Sequence, residues 1–259
     1  MKEIKFSKVF LVLIMLLIYL PIAVVVVYSF NGSKISSVWS GLSLEWYRQL
    51  FDDVDMFVAL KNSLVLATLS SVLSGIIGTL GAVGIRRSKM RAESSVEYLT
   101  MLPIMIPEII LGMLFMAFFS MLGMPFGMGT LVIAHSTFCI PYIYTVVKGR
   151  LSGIDINVQE AARDLGAKEY QVILNIVLPQ LMPAVISGML LAFAMSLDDV
   201  IISIFVTGVN TNTLPIKIYS QLKTGVTPEI NALCTLMLLV TIVILLLSAF
   251  LGKKHSEQN

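Results

Sequence analysis

Charged side chains are scarce in this chain: Asp, Glu, Lys and Arg make up 13% of its 259 residues, against 57% hydrophobic ones. A water-soluble domain carries about 25% charged and roughly 45–50% apolar residues. This sequence therefore cannot coat a globular surface of its own size, and with a mean hydropathy of +0.89 its solvent is the bilayer. Cysteine is nearly absent. Cys139 and Cys234 lie in different apolar runs, which excludes a disulfide framework or a cysteine-built zinc site and leaves two small packing residues. No G-x-x-x-x-G-K-[ST] phosphate loop occurs. The net charge is only +2, so nothing indicates a nucleic-acid partner.

Long apolar runs are what the chain does have. A helix needs about 20 mostly apolar residues to cross the hydrocarbon core, and six stretches qualify: 9–29, 62–84, 99–122, 128–147, 181–207 and 230–252. They predict an all-α integral membrane protein, one transmembrane domain over 1–259. The first run follows Lys2, Lys5 and Lys8 as a signal peptide would. It exceeds the usual 7–15 apolar residues and no A-x-A site follows it, so a retained helix is expected. With the N-terminus in the cytoplasm, the inside segments hold 13 of the 18 Lys and Arg residues. Positive charge accumulates on that side, which puts both termini inside. In the second run Gly75, Gly78, Gly81 and Gly84 recur every third residue, a spacing that favours close helix packing over flexibility.

The connection at 148–180 reads as ordered. Val158, Ala161, Ala162 and Leu165 follow the i, i+3, i+4, i+7 pattern of an amphipathic helix. Asn157 is the expected N-cap, with Glu160 completing a capping box, and Gly166 falls where a left-handed C-cap ends a helix. A second short helix carries the stripe Val172, Ile173, Ile176 and Val177, after which Pro179 and Pro183 punctuate the start of the fifth span. Small alanines in the first stripe would let that helix sink into a partner's groove. Lying flat on the membrane surface is the other reading of the same periodicity.

Here the chain resembles a known family. Glu160-Ala161-Ala162, three residues, Gly166, nine residues, then Ile176-Val177-Leu178-Pro179 is similar to the EAA loop of permeases in binding-protein-dependent ABC importers. The resemblance implies a type I (MetI-like) importer permease whose coupling helix docks on a separate ATPase subunit. Glu160, Ala161, Ala162, Gly166, Ile176, Leu178 and Pro179 would make or support that contact. ATP and Mg would be bound by the ATPase, and this chain would need no cofactor.

Ionisable groups inside a span cost about 2.5–3.5 kcal/mol on insertion scales and are functional candidates by default. Glu108 follows Pro107 in the third span, and Asp198 and Asp199 sit together in the outer half of the fifth. Facing a shared path, these acids would attract a cation and repel an anion. Capping a broken helix is the alternative for either aspartate. Adjacent aspartates point about 100° apart on a helix and cannot form the facing pair that an intramembrane aspartyl protease needs. His135 and Cys139 share a helix face, but two ligands do not make a metal site, and a packed histidine is expected. The segments 196–208 (SLDDVIISIFVTG) and 214–233 (LPIKIYSQLKTGVTPEINAL), with PEIILG at 107–112 and HSTFCIPYIYTVV at 135–147, resemble permeases of the spermidine/putrescine importers. The implied partners are a second, similar permease, two ATPase subunits and an extracytoplasmic polyamine-binding protein, in a bacterial inner membrane. Another small organic cation, an amino acid or an inorganic anion stays open as cargo.

Overall fold

In the computed structural model, which describes residues 2–33, 38–88, 93–225 and 228–256, each apolar run becomes helical. Departures from the expected spans lie where proline or the paired aspartates interrupt a run. In order, α1 is Lys2–Tyr28, α2 Glu45–Asp52, α3 Val54–Ser88, α4 Glu93–Met105, α5 Glu108–Met121 and α6 Met128–Ser152. Then come α7 Ile156–Asp164, α8 Glu169–Val172, a π-helical turn Ile173–Val177, α9 Leu178–Asp198, α10 Ile201–Val206, α11 Leu214–Thr224 and α12 Pro228–Ser256. Lys34, Lys89 and Arg91, part of the basic-residue bias, lie outside the described residues.

The third expected span is bent. Its halves α4 and α5 meet at 106°, because Pro107 offers no N–H, adopts an extended backbone (φ −54°, ψ 134°) and biases Ile106 away from the helix. The fifth span also stops early, at Asp198. Asp199 is extended (φ −66°, ψ 126°), and α10 restarts two residues later. At its other end this span is longer than expected. Pro179 and Pro183 do not interrupt it, and helix runs without a break from Glu169 to Asp198, 30 residues. The π-turn absorbs Pro179: Leu178 N–H reaches five residues back to Ile173 O, just where a regular α-turn would press the proline ring against the Asn175 carbonyl. Among the described residues four single helices are long and apolar enough to cross a membrane, and the bent pair makes a fifth. The sixth expected span falls in α12, whose described apolar part is Pro228–Val243.

The chain divides into two compact units. In Met1–Val58 with Lys217–Val243, the Phe10–Tyr28 part of α1 is apolar on all sides and largely exposed, as a lipid-facing or partner-facing helix would be. The segment after it is organised by buried Asn31. Its Oδ1 accepts from Ser33 N–H (3.2 Å) and Ser40 N–H (3.0 Å), its Nδ2 donates to Val38 O (2.7 Å), and its carbonyl accepts Trp46 Nε1–H (2.6 Å). Lys217 Nζ pairs with Asp53 at 3.2 Å.

In Ala59–Ile216 the core lies between α6 and α9, with α5 and α10 packed at one end. The glycine stripe of α3 serves close packing over half its length. A Cβ at Gly75 would come within 2.8 Å of Met189, and one at Gly78 within 3.2 Å of the Ile140 carbonyl; Gly84 meets nothing. Two further glycines matter more. Gly112 leaves room for the Phe205 ring, and a Cβ at Gly208 would sit 2.0 Å from Phe126 O.

Candidate functional site

Two groups of expected site residues lie at opposite ends of the helix Glu169–Asp198. At the first end, α7 is capped differently from expectation. Asp155, and not Asn157, is the N-cap: its side chain accepts the N–H of Asn157 at 2.9 Å. Both residues can cap, but the carboxylate two positions earlier adds favourable charge at the helix N-terminus. Glu160 is therefore outside the first turn, takes no part in a capping box, and stands exposed. The C-terminus follows expectation. Gly166 takes φ +87°. Its N–H donates to Arg163 O (2.8 Å), and Ala167 N–H donates to Ala162 O (3.0 Å), the paired bonds of a Schellman stop.

The apolar stripe of α7 is largely uncovered by its own chain, with only Ala162 partly buried against the core. Leu165 is 90% exposed and Val158 48%, with Ala161 exposed beside them. The stripe of the following segment is covered instead: Val172 and Val177 are buried, with Ile173 and Ile176 partly so. Leu178 is half-buried and Pro179 exposed. Charge holds the loop in place. Glu169 receives Arg163 Nε–H at 2.6 Å and also pairs with Arg87 at the end of α3. Arg87 donates further to Gln159 on α7 at 3.3 Å. The Arg163 hydrogen bond foremost, with Arg87 adding, holds the Glu169 carboxyl below its usual range. The sequence reading passed over this three-element latch.

At the other end the three acids separate. Asp199 turns inward and caps α10. Its Oδ1 accepts Ile202 N–H (3.3 Å), and its Oδ2 accepts both N–H (2.9 Å) and Oγ–H (2.8 Å) of Ser203. His135 of α6, fully buried, spans the break. Its Nδ1 is 2.8 Å from Ser196 Oγ, its Nε2 2.9 Å from Ser203 Oγ and 3.4 Å from Asp199 Oδ2. Cys139, a turn away, is buried in the core, and its Sγ–H donates to the Ala192 carbonyl at 3.6 Å. Among the described residues no group of three or more His, Cys, Asp and Glu side chains could hold a metal ion. Asp198 and Glu108 are both exposed on this chain, and Glu108 lies within electrostatic range of Asp198 and of Tyr142. Glu108 and Asp198 thus stand open within electrostatic range of each other, while Asp199 is committed to the fold.

Comparison with solved structures places this architecture. A bacterial ABC transporter for alginate, in complex with its oligosaccharide-bound periplasmic protein, has a chain that superposes with a TM-score of 0.74 at 18% identity, covering 96% of this chain and 92% of that one. The MetNI methionine ABC transporter gives a TM-score of 0.66 at 18% identity over 76% of this chain and 94% of that one. The fold is therefore that of ABC importer permeases. Residues 72–257 match the family described as binding-protein-dependent transport system inner membrane component, and the chain belongs to that family. Among curated relatives, the spermidine/putrescine transport system permease protein PotC of Haemophilus influenzae is 38% identical over 93% of each chain. The putrescine transport system permease protein PotI of Escherichia coli is 42% identical over 85% of this chain and 81% of its own length.

Proposed function

We propose that this chain is a membrane-spanning permease subunit of an ATP-driven polyamine importer, forming part of the translocation path and coupling it to a separate ATPase. The observation that carries the cargo reading is that Glu108 and Asp198 are both exposed and lie within electrostatic range of each other. An ammonium ion offers hydrogen-bond donors and no acceptors, so spaced carboxylates replace part of its lost hydration. The names of the relatives supply the same chemistry independently. An inorganic anion is disfavoured by these acids, while another small organic cation remains the second reading.

The α7 loop is read as the coupling element. Glu160 and Ala161 face the ATPase with exposed Leu165, Ala162 anchors the helix against the core, and Gly166 sets the turn behind them. Ile176 packs the base of the loop against the bundle, with Leu178 and Pro179 leading on into the long helix. Docking would cover the exposed apolar stripe. On this reading both termini are cytoplasmic, and ATP and Mg reside in the ATPase subunits, of which there are two. A second permease completes the path, and an extracytoplasmic binding protein delivers the polyamine. The test is uptake of radiolabelled spermidine and putrescine in cells with and without this chain, its partners present. Loss of saturable uptake that returns on complementation supports the polyamine reading. Unchanged uptake of both sends the cargo assignment to other cations.

A further inference from the structure

Two adjacent aspartates stand at the end of α9, and either has the right chemistry to cap α10. A carboxylate one position earlier or later could reach the same orphan N–H groups with a small change in where the helix breaks. If residue 198 capped, its charge would be spent on backbone, and the open face would lose one of its two acids. Something outside the local sequence has to choose between them.

We propose that His135 makes that choice: it is a positioning residue that clasps the α9–α10 break so that Asp199 caps and Asp198 is left for the cargo. The proton inventory of the cluster supports a specific wiring. Ser203 Oγ–H is donated to Asp199 Oδ2, so Ser203 Oγ must accept from His135, and Nε2 carries the proton. Nδ1, 2.8 Å from Ser196 Oγ, completes the link to α9. Every polar atom in this buried cluster is paired, and in low dielectric an unpaired one is costly. The imidazole therefore ties the last turn of α9, through Ser196, to the first turn of α10, through Ser203. Only the break that puts Asp199 between them satisfies both. His135 touches no cargo and acts through Asp198.

This inference rests on the path role of Asp198, and a double-mutant cycle separates the two. In the assembled transporter, with its partner permease, ATPase and binding protein, spermidine uptake is measured for Asp198→Asn, His135→Leu and both together. Asp198→Asn is expected to lower uptake efficiency roughly tenfold, one charge-assisted hydrogen bond. His135→Leu should do about the same, and the double variant should be no worse than either, since both remove one interaction. His135→Gln, whose amide can donate to Ser203 and accept from Ser196, should restore most of the uptake. Additive losses, giving about a hundredfold in the double variant, would reduce His135 to a packing residue and overturn the proposal. An Asp198→Asn variant with normal uptake would instead remove the path role itself. Should His135→Leu not assemble, Ser196→Ala deletes one arm of the clasp, and full additivity with Asp198→Asn would overturn the proposal equally.

Discussion

The α7 loop and the α9–α10 break depart from the usual distribution of polar and apolar groups in opposite directions. In the loop, Leu165 and Val158 stand open while charges on Arg87, Arg163 and Glu169 hold the backbone. At the break, His135, Ser196 and Ser203 are buried and satisfied only by one another and by Asp199. An exposed apolar group loses nothing when a partner covers it, so on the proposed reading the loop takes an occupant that comes from outside. A buried polar cluster is complete in itself. The first region is unfinished in this chain and the second is closed, and substitutions should separate them accordingly.

The largest effect should come from the closed region's backbone. Gly208→Ala places a Cβ 2.0 Å from Phe126 O, a clash with no flexible side chain to yield. It should cost about 4 kcal/mol or more, read as loss of purifiable complex and a lowered melting temperature. Asp199→Ala comes next. Removing the cap and leaving the Ser203 N–H and hydroxyl unpaired should cost about 3 kcal/mol, whereas Asp198→Asn should leave stability within about 0.5 kcal/mol. Equal melting temperatures for these two variants would break the distinction between closed cluster and open face. In the loop, Gly166→Val must hold φ +87° with a β-branched side chain, a strain of about 1–2 kcal/mol. The complex should assemble yet hydrolyse ATP without matching transport, measured as the ratio of the two rates in proteoliposomes. The smallest effect is expected for Glu169→Gln, which loosens an exposed latch and should lower the coupling ratio slightly at low salt and not at high salt.

The same latch has a pH signature. The Glu169 carboxyl lies below its ordinary value in the folded chain, so its contribution is fully present above the unfolded value of about 4.3 and is lost as pH falls through the lower folded one. Coupling should be flat with pH from neutrality down to about 5 as far as this group is concerned.

What the sequence could disclose followed from how local each feature is. Gly166 was legible because a left-handed turn leaves few residue choices, and the spacing to Pro179 carried the loop's resemblance. The cap of α7 was misplaced by two residues because Asp155 and Asn157 cap equally well on paper, and only the break after Ile154 decides between them. Pro179 suggested an interruption because proline usually makes one; a π-turn is not encoded by any residue type. The roles of Asp198 and Asp199 could not be told apart at all, since His135, which contacts Asp199, stands 64 residues earlier in the sequence. Of the two candidate roles, path and cap, Asp199 takes the cap, and the path role is the one proposed for Asp198.

The unbroken helix Glu169–Asp198 links the two regions. Its 30 residues extend about 45 Å, so a tilt of about 5° around its middle moves the two ends about 2 Å in opposite directions. If the helix tilts as one piece in the proposed transport cycle, a push received at Glu169 and a shift of Asp198 at the far end are one displacement, and closing on one side while opening on the other needs no relay between them.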